Sequence, residues 1–115
     1  MDKEQFKKYT KSKMIEDISV IKLKERLDNN EDINLIDVRE TFEFEEFNLG
    51  GELIPLGELP GRLDEIEHLK EKEIIVHCRS GNRSRTAQQF LLQAGFKNVR
   101  NLLGGVLDWQ AQHGS

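Results

Sequence analysis

Residues 78 to 85 read Cys-Arg-Ser-Gly-Asn-Arg-Ser-Arg, so the single cysteine of the chain is followed within seven positions by one glycine and three arginines. A cysteine acts as a nucleophile through its thiolate, which unpaired backbone N–H groups, a helix N-terminus and nearby cations all favour. Cys78 stands where such groups are expected: Ile74-Ile75-Val76-His77 before it is a strand-like run, and a helical pattern begins after it. Gly81 lets the turn take positive φ, so that N–H groups from Arg79, Ser80, Gly81, Asn82, Arg83 and Ser84 can converge above the sulfur. The cradle would hold an anion, either a substrate or a sulfur atom carried on Cys78 as a persulfide. No acidic residue lies between Glu73 and Asp108, so Arg79, Arg83 and Arg85 predict a local anion site on a chain of net charge −4. The plainer alternative is a small buried hydrophobe that ends a strand. Three arginines in and beside the turn are a poor setting for it.

Other candidates are fewer. Asp37 and Arg39 lie two apart at the end of a second apolar run, which puts them on one strand face with Val38 on the other. They read as supporting residues, a strand-end cap and a fold-holding ion pair. His77 alternates away from the thiol and is expected to be buried or to brace the loop rather than to act as a base. His68 and His113 are isolated, and with one cysteine no spacing resembles a metal site. Phosphate-loop and dinucleotide fingerprints are absent, and no cofactor is expected.

The elements that must position these residues alternate in type. A short strand from Ile18 leads into a modest helix over Ile21–Leu27, and Ile33–Arg39 is the pattern of a strand buried on both faces. Glu40–Phe47 predicts a short helix or an irregular turn, and Leu53–Leu56 an edge strand or extended segment marked by Pro55. Apolar residues at 59, 63, 66 and 69 give a helical repeat with Pro60 in its first turn. Glu73–His77 is a strand. From Ser84, Ala87, Phe90, Leu91 and Ala94 form one helical stripe closed by Gly95. Phe96–Leu103 reads as a last strand, and Gly104-Gly105 precedes a short helix carrying Val106, Leu107 and a core anchor, Trp109. Alternation of this kind predicts an α/β fold: a small, mainly parallel sheet with helices on both faces. Ligands of such sheets bind beyond the carboxyl ends of the strands, so Cys78 and Asp37 are expected on one rim.

The chain has 115 residues, 37% hydrophobic and 33% charged, which suits one globular domain with a well-solvated surface. Its acidity argues against general nucleic-acid binding, and no apolar run approaches the roughly 20 residues that span a bilayer. Met1 to Met14 is polar and Lys-rich, without the apolar core of a secretory signal. Residues 1–16 are expected to be a flexible tail or linker and 17–115 the domain. A lone cysteine forms no internal disulfide, and the cytoplasm is the expected compartment, where a thiol stays reduced.

Three stretches in order, Asp37-Val38-Arg39-Glu40, Cys78-Arg79-Ser80-Gly81-Asn82-Arg83-Ser84 and Gly104-Gly105 before Trp109, resemble the rhodanese homology domain over about residues 17 to 112. The resemblance implies that Cys78 takes sulfane sulfur from a donor such as thiosulfate, becomes a persulfide, and passes the sulfur to a thiol, cyanide or a sulfur-carrier protein. Related phosphatases and arsenate reductases have five residues between cysteine and arginine. Here four separate Cys78 from Arg83, the sulfurtransferase version. By the same resemblance Asp37 and Arg39 organise the loop and its neighbouring chain, Arg83 closes the loop onto Asp37, and Arg79 points toward the donor or partner. The chain departs from many relatives at Thr41, where they carry proline, and at Asn48–Ile54, where they carry a Gly-His-Ile segment. The latter form, running on to Leu59, is similar to rhodanese domains fused behind adenylyltransferases that activate ubiquitin-like sulfur carriers. A sulfur-delivery module served by a cysteine desulfurase is therefore the second expectation.

Overall fold

The computed structural model describes residues 16–114. The tail expected over residues 1–16 lies outside the described residues except for Glu16. Four parallel strands, β1 (Asn34–Asp37), β2 (Glu52–Leu53), β3 (Glu73–His77) and β4 (Asn98–Asn101), form one sheet in the order β2-β1-β3-β4. β1 and β3, the two most apolar runs, take the central places because only there are both faces of a strand covered. Leu53 sits at the edge, where Pro55 just beyond costs no ladder hydrogen bond. Ile18 adds one parallel bridge to Leu102, all that remains of the first expected strand.

Helices α1 (Val20–Asp28), α2 (Thr41–Glu46), α3 (Asn82–Gln93) and α4 (Gly105–His113), with a 3-10 helix over Leu56–Leu69, connect the strands. Strand alternation divides the core in two. Ile36, Val38, Ile74, Val76 and Cys78 pack with Ala87 and Leu91 of α3 and with Leu59, Ile66 and Leu69. On the other face Leu35 and Ile75 pack with Val20 and Leu23 of α1, and Trp109 of α4 is partly buried against them. His77 faces this second side, away from the thiol.

One element differs from its expected form. The stretch carrying Leu59, Leu63, Ile66 and Leu69 is a 3-10 helix with a break at Arg62 (φ −123°), and it begins earlier, at Leu56, with Pro60 inside it. After Leu63 the apolar residues recur every three positions, which is the 3-10 period rather than the 3.6 of an α-helix. Glu40–Phe47 resolves into α2, closed by a reciprocal capping box between Glu40 and Glu43. Phe44 and Phe47 are half-buried, and Phe42 is 64% exposed.

Candidate active site

The site is built at the carboxyl ends of β1 and β3, where Asp37 and His77 are register partners and Cys78 follows at once. β3 ends because the next residues turn back into α3. Gly81 caps that helix in the left-handed region, φ +108°. Three donors meet the buried sulfur of Cys78: the Gly81 N–H at 3.1 Å, the Ser84 N–H at 3.4 Å and the Ser84 hydroxyl at 3.3 Å. The Ser84 N–H belongs to the first turn of α3 and has no partner inside the helix, so the sulfur takes its place. Burial pushes the Cys78 thiol up, but the Ser84 hydroxyl and the N–H groups of Ser84, Gly81 and Ser80 outweigh it and hold the thiol below its ordinary value.

A second helix end holds the loop from behind. The N–H groups of Val106 and Leu107 in α4 donate to the carbonyls of Cys78 (3.0 Å) and Arg79 (2.9 Å). That contact requires Gly105: a Cβ there would lie 2.5 Å from the Cys78 oxygen and 2.6 Å from the Arg79 oxygen. Two helix N-termini thus converge on one turn, α3 on the sulfur and α4 on the backbone carbonyls.

The arginines part company. Arg83 makes a two-pronged ion pair with Glu43 of α2, at 2.7 and 2.9 Å, and does not close the loop onto Asp37 as expected. Asp37 is already taken: the Arg39 guanidinium returns to it from two residues on, at 2.8 and 3.0 Å, and also donates to the Phe47 carbonyl. The pair Asp37–Arg39 is buried and fixes the chain that leaves β1, a supporting part. Pairing with Arg83 holds the Glu43 carboxyl down to about 2 against its burial. Arg85 pairs with Asp17 at 2.6 Å. The local anion site read from residues 79 to 85 is therefore largely neutralised by carboxylates distant in sequence. Arg79 is exposed and has no side-chain ion pair among the described residues. It lines a cleft of about 380 Å3 with Arg39, Phe42, Glu43, Val106 and Leu107. Ser80 and Asn82 are exposed on the outer side of the turn.

His77 is fully buried, with both ring nitrogens unpartnered and Nε2 3.8 Å from Asp37. Burial drives its value down to about 4, against the pull of the Asp37 carboxylate. It is neutral at working pH and makes no hydrogen bond to the thiol.

Sequence reasoning missed two residues. Glu43 is the partner of Arg83, and its only signal was its place in an acidic stretch. Asn101, at the end of β4, is buried: its Nδ2 donates to the Gly81 carbonyl (3.2 Å) and its Oδ1 accepts from the Ser84 hydroxyl (2.5 Å). A buried amide at a strand end three residues before Gly104 has no local signature.

The profile of the rhodanese-like domain matches residues 19–112. A sulfurtransferase of Allochromatium vinosum is 36% identical over 102 residues, covering 88% of this chain and 92% of that one. A Bacillus subtilis protein provisionally named sulfur carrier protein YrkF is 38% identical over 96 residues, 83% of this chain, which spans about half (51%) of that protein's length. The solved structure of SSP1007 from Staphylococcus saprophyticus superposes with a TM-score of 0.71 at 30% identity, over 83% of this chain and 93% of that one. With the parallel sheet, the turn after β3 and the clamp by α4 already in place, these matches settle the family: the chain belongs to the rhodanese-like domain family.

Proposed function

We propose that this domain is a sulfurtransferase and that Cys78 carries the sulfur. The thiolate attacks the outer sulfur of a sulfane donor such as thiosulfate. The donor's S–S bond breaks, sulfite departs with the bonding electrons, and a Cys78 persulfide remains. Cyanide or a thiol, whether small or borne by a sulfur-carrier protein, then attacks the outer sulfur, and the Cys78 thiolate leaves. Electrons balance across the two steps, so the cycle calls for no redox cofactor. The observation that carries this reading is the sulfur ringed by Gly81 N–H, Ser84 N–H and Ser84 Oγ within 3.4 Å. Such dipoles stabilise a thiolate and, one atom further out, a persulfide anion. Arg79, beside the cleft and without an ion pair among the described residues, receives the anionic donor, and Ser80, Asn82 and Arg83 complete the loop. Asp37 and Arg39 hold the neighbouring chain. The domain runs from 17 to 115, with 1–16 as a tail or linker, and works in the reducing cytoplasm without nucleic acid or membrane.

Thiosulfate and cyanide should give thiocyanate, and Cys78→Ser should abolish it; undiminished turnover in that variant refutes the assignment. A second reading is a delivery module that receives sulfur from a cysteine desulfurase and hands it to a ubiquitin-like sulfur carrier. It is favoured by a sulfur atom almost sealed from solvent, by exposed Phe42 and Leu107 in the cleft that Arg79 lines, and by the relative named as a sulfur carrier. Faster loading from a desulfurase than from thiosulfate selects it.

A further inference from the structure

The hydroxyl of Ser84 has one proton and two claimants. Oγ lies 3.3 Å from Cys78 Sγ and 2.5 Å from Asn101 Oδ1. The Asn101 amide is oriented by its other end, because Nδ2 donates to the Gly81 carbonyl at 3.2 Å and so leaves Oδ1 facing Ser84. Oδ1 has no proton to give, so in that contact Ser84 must donate. Asn101 itself is held at the end of β4, where its backbone N–H donates to Asp17 at 3.2 Å. All three side chains are buried, so water cannot supply a missing partner cheaply.

We propose that Asn101 is a positioning residue that competes with Cys78 Sγ for the single proton of Ser84, so that the hydroxyl points to Asn101 beside the thiol and to the sulfur beside the thiolate. In the thiol form the S–H donates to Oγ and the O–H donates to Oδ1, and every group is satisfied. When the S–H bond ionises, its proton leaves to solvent. The hydroxyl then turns to the charged sulfur, the stronger acceptor, and Oδ1 loses its partner. The ionised form therefore carries the cost of one broken buried hydrogen bond, which Asn101 imposes. Under the sulfur-carrier reading, on which this last step alone rests, the charge of a persulfide sits on the outer sulfur atom. Sγ then ceases to compete, the hydroxyl returns to Asn101, and the loaded form is favoured over the bare thiolate.

The test needs no sulfur transfer, so its failure is separate from failure of the proposed activity. Because Cys78 is the single cysteine, the ultraviolet absorbance of thiolate against pH, after subtraction of the same titration of Cys78→Ser to remove Tyr9, reports it alone. Asn101→Ala should lower the Cys78 pKa by about half a unit to one unit, the size of one net hydrogen bond. The decrease should vanish when Asn101→Ala is made in a Ser84→Ala background, since no hydroxyl remains to be released. Asn101→Val, suited to a strand, replaces Asn101→Ala if the latter does not fold. A merely structural Asn101 would loosen the loop, misalign the N–H donors and raise the value. An unchanged or raised pKa overturns the proposal, as does a decrease of the same size without Ser84.

Discussion

At the scale of single residues, the site separates groups that face the sulfur from groups that hold the chain around it. Arg79 and Arg83 are both arginines of one turn, yet among the described residues only Arg83 is tied to a carboxylate, Glu43. Arg79→Ala should raise KM for thiosulfate about tenfold with little change in kcat, an effect that shrinks at high salt, as expected for loss of a charge-assisted contact at an exposed position. His77 predicts a pH dependence of stability. Its value falls from the ordinary 6.5 to about 4 on burial, so between those limits the unfolded chain binds the proton that the folded one refuses. Stability is complete above pH 6.5 and is lost as pH falls toward 4, by about 3 kcal/mol in all. Protonation of Glu43 extends the loss from its ordinary 4.5 down to about 2. Denaturant titrations between pH 7 and pH 4 should show this slope, and His77→Gln should flatten it. An equal slope in the variant contradicts the assignment. The turn after Cys78 and the pairing of Asp37 with Arg39 were each legible in the sequence, because the residues within each lie only a few positions apart. The partners of Arg83 and Ser84 were not, since Glu43 and Asn101 reach the site only after the sheet has aligned β1, β3 and β4.

At the scale of elements, two helix ends and two glycines shape the turn. The Gly104-Gly105 pair was legible as the start of a helix and as one of the stretches that carry the family resemblance. Its second role, letting α4 approach the carbonyls of Cys78 and Arg79, belongs to a contact between distant segments that no local pattern records. The two glycine positions should respond unequally. At Gly81 a methyl group meets nothing closer than 3.6 Å, so Gly81→Ala is opposed only by φ +108° and should cost about 1–2 kcal/mol. At Gly105 the methyl would overlap two carbonyl oxygens at 2.5 and 2.6 Å as well, so Gly105→Ala should cost more than about 3 kcal/mol and displace the loop. Denaturant unfolding of the two variants checks the order, and equal losses would contradict the clamp by α4. The 3-10 helix teaches a related lesson. Its three-residue spacing was present in the sequence, but a helical repeat interrupted by Pro60 and Gly61 does not by itself distinguish one helix type from another.

At the scale of the whole molecule, the first described residues are tied into the fold, which supports the proposed boundary at residue 17. Asp17 accepts hydrogen bonds from Gln88 and from the Asn101 N–H and pairs with Arg85, and Ile18 bridges Leu102. These join the start of the domain to α3 and β4, the elements that carry Ser84 and Asn101. A chain beginning at residue 16 should keep the melting temperature and turnover of the full chain, whereas one beginning at residue 20 should lose several degrees and part of its activity; loss in the first case contradicts the boundary. The alternation of apolar runs and helical stripes made the parallel sheet and its two-sided core legible, because buried strands and amphipathic helices must bury their apolar surface in that way. Whether Cys78 carries sulfur is read by mass spectrometry of the protein incubated with thiosulfate, before and after reductant. The peptide bearing Cys78 should gain one sulfur atom that reductant removes; a thiol that gains no sulfur from thiosulfate or from a cysteine desulfurase would refute the carrier role.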